Sequence, residues 1–155
     1  MVIALEKRSS PGYLDPGAPQ RQGGEMQKNK HVLIICADGE SREKVIGTIH
    51  KCGLSPVSCS TLDDARSLLV RQHFNIVFCS DTLADGDFRA VIRAARPIPV
   101  IVLSRFAEWE PYLVAMNAGA FDYIACPPDP GETERILWFA LRESSRIHQA
   151  DQVAA

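Results

Sequence analysis

From His31 onward, five short apolar runs alternate with five stretches of helical periodicity. The runs cover 32–36, 57–59, 76–79, 100–103 and 123–126, and they are apolar almost throughout rather than at every second position. Strands of that kind belong to a parallel sheet covered by helices on both faces. Right-handed crossovers then predict a three-layer α/β/α sandwich with a five-stranded parallel sheet in the order 2-1-3-4-5 and five helices. Pro56 cannot donate to an interior ladder, which puts the second strand at an edge.

The helical stretches are read at about 40–51, 62–72, 87–95, 108–118 and from Pro130 to about 148. Thr61 is placed to cap the second. Gly53 and Gly119 are placed to end the first and fourth. Residues 1–30, rich in Pro and Gly with no apolar period, read as a flexible leader. The folded domain is expected over 31–148, with a C-terminal tail at 149–155. No output domain is expected after residue 148, so DNA binding through a fused module is not expected either.

Charged residues make up 23% of the chain and the net charge is −2, so no basic surplus points to nucleic acid. No apolar stretch is long enough to span a bilayer, and the N-terminus is too short in apolar residues for a signal peptide. A cytoplasmic location is the expectation. The five cysteines occur singly, without the spacing of a metal site, and their odd number argues against a disulfide framework.

In an open α/β sheet, ligands bind at the carboxyl ends of the strands. The residues expected there are Cys36, Ala37, Ser80, Ser104 and Cys126, none of them a carboxylate or an amine.

Several stretches carry a family likeness. Val32-Leu33-Ile34-Ile35 leads into a turn, with Arg42 following in the first helix. Leu83-Ala84-Asp85-Gly86 forms a turn, and Pro99-Val100-Ile101-Val102-Leu103-Ser104 makes the fourth strand. The most specific stretch is Ala118-Gly119-Ala120-Phe121-Asp122-Tyr123-Ile124, followed by Cys126-Pro127. On these residues, 31–147 resembles the receiver domain of two-component response regulators, of the chemotaxis-receiver type, which has a flavodoxin-like fold.

The resemblance implies phosphoryl transfer to an aspartate with a magnesium ion, for which hard oxygen ligands are required. It also implies where the family's residues fall. The acidic pair falls on Cys36 and Ala37, the phosphoacceptor on Ser80, the hydroxyl on Ser104 and the lysine on Cys126. Only the hydroxyl is kept. The reading is therefore a degenerate pseudo-receiver that needs no cofactor and acts through protein–protein contact or dimerisation.

Two alternatives stand beside it. In the first, Asp81 is the phosphoacceptor and Asp38 and Asp81 hold magnesium; both lie one step late, and side-chain alternation along a strand is expected to turn them away. In the second, Cys36 and Cys126 form a thiol or redox sensor. Tyr123 falls at the family's aromatic switch position. Trp109, Tyr112, Met116, Trp138 and Phe139 are the expected interface residues, on the surface of the fourth helix, fifth strand and fifth helix, for a signalling partner or a second copy. Neither nucleic acid nor a membrane is an expected partner.

Overall fold

The computed structural model describes residues 30–154. The chain alternates strand and helix as β1 (His31–Ile35), α1 (Gly39–Lys51), β2 (Ser55–Cys59), α2 (Leu62–Arg71), β3 (Ile76–Ser80), α3 (Phe88–Ala95), β4 (Val100–Ser104), α4 (Trp109–Asn117), β5 (Asp122–Ala125) and α5 (Pro130–Ala154). A two-residue ribbon, Thr82–Leu83 against Gly86–Asp87, lies between β3 and α3. The five main strands form one parallel sheet in the order β2-β1-β3-β4-β5. β2 is an edge strand, so the missing amide of Pro56 costs no interior ladder bond.

Alternation along each strand divides the core in two. Val32, Ile34, Ile76, Phe78, Ile101, Leu103 and Ile124 pack on the face covered by α1 and α5. Leu33, Ile35, Val77, Cys79, Val100, Val102 and Tyr123 pack on the face covered by α2, α3 and α4. Both faces are buried, which is why the strands read as continuous apolar runs in the sequence.

Helix ends follow local chemistry. Asp38, Thr61 and Asp87 cap α1, α2 and α3 by accepting from the amides of Ser41, Asp64 and Arg89. Asp129 does the same for α5, its Oδ2 accepting from the Glu132 amide at 2.9 Å. α4 ends before Gly119, whose φ of 108° suits a residue without a Cβ.

Two expectations about the ends of the chain meet the structure differently. The expected leader, 1–30, falls outside the described residues except for Lys30. The expected tail does not begin at 149, because α5 continues through Ala154. Its apolar stripe, Ile136, Leu137, Ala140 and Leu141, ends well before that point. An apolar pattern marks only the part of a helix that packs on the core, whereas backbone hydrogen bonding carries this one further. Among the described residues, no helix is long and apolar enough to cross a membrane.

Candidate functional site

The carboxyl ends of β1, β3, β4 and β5 open onto a cleft of about 500 Å³. It is lined by all five expected residues, Cys36, Ala37, Ser80, Ser104 and Cys126, together with Asp38, Asp81 and Arg105. Among the other lining residues, Glu40, Ser41 and Thr82 were not expected there. Ser41 had a legible signal: it stands three residues after the capping Asp38, at the start of α1.

Asp38 and Asp81 both border the cleft, contrary to the expectation that strand alternation would turn them away. Asp38 has already left strand geometry as the N-cap of α1, its Oδ2 accepting from the Ser41 amide at 3.1 Å. Asp81 follows the last residue of β3, and its amide donates to the Leu103 carbonyl at 2.9 Å, carrying the ladder one step further. Ser80 is level with Leu103, so the next step brings Asp81 beside Ser104. Both residues continue the face of Cys79 and Val102. The Ser104 hydroxyl donates to Asp81 Oδ2 at 2.8 Å. Asp81 did change face relative to Ser80, and Ser104 stands on that same face.

Electrostatics differ among these groups. Hydrogen bonds from Ser41, side chain and backbone, hold the Asp38 carboxyl below its ordinary value, and Arg105 and Arg42 add to the effect. Arg42 also ties α1 to the end of β1, its Nη1 donating to the Cys36 carbonyl at 3.1 Å. Burial pushes the Cys126 thiol up, with the negative charges nearby, Asp38 and Asp81 among them, acting in the same direction; a hydrogen bond with the Ser41 side chain opposes the rise. A raised thiol is less often the thiolate that reacts or binds metal. Cys79 lies in the opposite core and is fully buried, as its alternation requires.

A magnesium ion needs several hard oxygen ligands in near-octahedral array. The cleft offers three carboxylates: Asp38, engaged by the first turn of α1, Asp81, engaged by Ser104, and Glu40, paired with Lys44 at 3.6 Å. Where the family likeness puts an acidic pair stand a thiol and a methyl group. Among the described residues, no group of three or more His, Cys, Asp or Glu side chains is placed to hold a metal ion. The donor set does not fit the ion.

Tyr123 is buried, and its hydroxyl donates to the Phe106 carbonyl at 2.5 Å. Burial raises its phenol above the ordinary value. Of the expected interface residues, Trp109 and Tyr112 stack at 5.3 Å between ring centroids, and Tyr112 meets Tyr123 edge-on at 5.9 Å. Tyr112 and Met116 are half-buried against the core beneath α4, and Trp138 against the core beneath α5. Trp109 is 69% exposed and Phe139 51%.

No family model matches the chain. It is 29% identical over 114 residues to the response regulator protein PilR of Pseudomonas aeruginosa, a match covering 71% of this chain and 26% of that protein. The chain spans between about a quarter and just over half the length of the curated relatives it matches. In structure it is similar to a CheY-like response regulator receiver domain protein from Methanospirillum hungatei, with a TM-score of 0.67 and 21% identity over 76% of this chain and 97% of that one. It is similar too to the beryllofluoride-activated NtrC4 receiver domain, solved as a dimer, with a TM-score of 0.67 and 19% identity over 74% of this chain and 98% of that one. The fold is that of a response-regulator receiver domain.

Proposed function

We propose that this chain is a receiver-type signalling module of a two-component pathway that works in the cytoplasm by protein–protein contact, without phosphorylation. The observation that carries the reading is the chemistry of the cleft. Ser80 ends β3 where an acyl phosphate would need a carboxylate, and Cys126 follows β5 where a cation would face the phosphoryl oxygens. A serine in place of the acceptor would need a general base, and no histidine lines the cleft. The contact surface in this reading is built on α4, with exposed Trp109, and on α5, with exposed Phe139. Aromatic residues of this kind suit the core of an interface. The partner is a signalling protein or a second copy of the chain.

A second reading makes Asp81 the phosphoacceptor, and its position in the cleft beside Ser104 favours it. It lacks the ammonium group, and the cleft does not supply the ligands magnesium asks for.

Incubation with radioactive acetyl phosphate and magnesium tests both readings. A competent receiver treated in parallel takes up label, and this chain is expected to take up none. Hydroxylamine-labile label that disappears in Asp81→Asn would establish the second reading, and label on any residue would overturn the first.

A further inference from the structure

We infer that the apolar run at the start of the chain, Met1–Leu5, docks in a groove along α5 of the same molecule and covers Phe139. The groove measures about 980 Å³. Lys30, just before β1, and Phe121 and Asp122, at the start of β5, take part in its lining. It therefore opens at the amino end of the parallel sheet, opposite the strand-end cleft. Its apolar wall is built by Phe121 with Trp138, Phe139 and Leu141 of α5.

The occupant follows from where the rest of the chain is attached. Residues 1–29 lie outside the described residues and join the domain at Lys30, which itself lines the groove. Met1–Leu5 is the longest apolar run in that segment. Consecutive apolar residues gain from burial wherever an apolar wall is within reach. A linker of about 25 residues, the stretch from Leu5 to Lys30, has a root-mean-square span of roughly 25–30 Å, about twice the radius of gyration of a domain of this size. The run thus reaches the groove, and the tether presents it at an effective concentration on the order of millimolar. A second copy would have to displace a tethered neighbour.

Charge does not choose the occupant, because both sides are mixed: Lys30 and Arg142 with Asp122 and Glu143 on the groove, Glu6 with Lys7 and Arg8 after the run. Nor does the segment enter as a sixth strand. The Tyr123 amide, on the edge strand β5, is already taken by Asp122 Oδ1 at 2.8 Å, and an edge occupied in this way is a poor template for pairing. Docking is by apolar side chains against the wall. Phe139 belongs to the contact surface proposed above, so the docked run closes the α5 half of that surface. This last consequence rests on that reading, whereas the docking does not.

The experiment uses the full chain with p-benzoylphenylalanine in place of Ile3, irradiated without a phosphodonor, digested and read by mass spectrometry. Crosslinks within one chain to residues 138–146 are the expected result. Adding Leu5→Asp is expected to lower their yield by about tenfold, the size of effect that losing one buried aliphatic side chain produces. Ser9→Asp, the same charge change outside the run, is expected to leave the yield unchanged. Phe139→Asp, on an exposed side chain of the wall, lowers it as Leu5→Asp does. Hydroxyl-radical oxidation of Phe139 is expected to rise several-fold in Leu5→Asp.

Crosslinks scattered over the surface, confined to α4, or absent overturn the inference, as does an equal fall in Ser9→Asp. Crosslinks between two chains overturn it as well, by making a second copy the occupant. Should Phe139→Asp fail to fold, Leu5→Asp, which alters nothing in the described domain, decides alone. Phosphate uptake in the separate labelling experiment bears on the proposed function, and the crosslinks alone bear on the docking.

Discussion

Both carboxylate oxygens of Asp85, in the ribbon turn after β3, accept from the start of α2: Oδ1 from the Leu62 amide at 2.8 Å and Oδ2 from the Asp63 amide at 3.0 Å. Thr61 already caps the Asp64 amide, so three of the orphan donors of that helix are satisfied. Gly86 completes the junction, because a Cβ there would lie 2.7 Å from Leu62 Cδ2. The loop that carries Asp81 is therefore fastened to α2 at its far end.

These hydrogen bonds hold the Asp85 carboxyl below its ordinary value. A carboxyl whose folded value lies below its unfolded one adds stability above the unfolded value, and that stability is lost as pH falls through the folded one. The expected outcome is that the thermal midpoint of the native chain falls as pH drops below about 4, and that Asp85→Asn, already lower at neutral pH, falls less over the same interval. Asp38, lowered in the same sense by Ser41, contributes to the same acid limb. Parallel melting curves of the two proteins from about pH 3 to 7 check this; identical slopes would show that Asp85 takes no part.

Phe78 is fully buried in the middle of β3, on the face covered by α1 and α5. Truncation to alanine removes its transfer free energy and leaves a cavity, and the two together amount to about 3–5 kcal/mol. Equilibrium unfolding in urea is expected to show that loss with an unchanged slope. For comparison, Val70→Ala, on a side chain 87% exposed, is expected to stay within about 0.5 kcal/mol of the native chain.

Sheet, strand order and the edge position of β2 were all legible, because both-sided burial leaves continuous apolar runs and proline marks an edge. Cys36, Ser80, Ser104 and Cys126 were legible as cleft residues because strand ends fall where those runs stop. Asp81 was misjudged for a physical reason. The period-two rule assigns a side chain to a face, but at the rim of the sheet both faces open onto the same cleft, and Ser104 already occupied the face to which Asp81 moves. The Asp85 cap was invisible for another reason. It joins a turn to a helix start more than twenty residues away, and nothing in local sequence specifies that meeting. Trp138 stands off the apolar stripe of α5 yet is half-buried, because its ring is long enough to reach back to the core beneath that helix.

Gly119 closes α4 with a φ of 108°, where an L side chain is strained regardless of space. Gly119→Ala is expected to destabilise the chain by about 1 kcal/mol or more. Gly47, in α1, is the contrast, because a Cβ added there would meet nothing within 4 Å. Gly47→Ala is expected to stabilise by about 0.5–1 kcal/mol, since the new methyl group finds no obstacle and the helix gains propensity. Opposite signs in the two melting shifts are the result to look for.

Burial raises the thiol of Cys126, pushes that of Cys59 to about 11, and raises that of Cys79 still further. Thiolate is the reactive form, so none of the three should be alkylated at about pH 7.5 faster than free cysteine. Iodoacetamide labelling followed by peptide mass spectrometry reads this directly, with full labelling of all five cysteines expected only in denaturant. Rapid modification of Cys126 in the native chain would revive the thiol-sensor reading, with Cys36 as its neighbour in the cleft.

Trp109 is largely exposed and contributes little to the core, while its stack on Tyr112 offers a broad aromatic surface. If that surface is where the chain meets its partner or its own copy, Trp109→Ala should weaken the association strongly while barely changing the melting temperature. Truncating an aromatic anchor at the centre of an interface typically costs about 2 kcal/mol or more, a factor of roughly thirty in affinity. Phe139→Ala, on α5, separates the contributions of the two helices. Sedimentation velocity across a concentration series measures self-association of each variant. Unchanged sedimentation in both, with the native chain dimeric, would place the interface elsewhere on the surface.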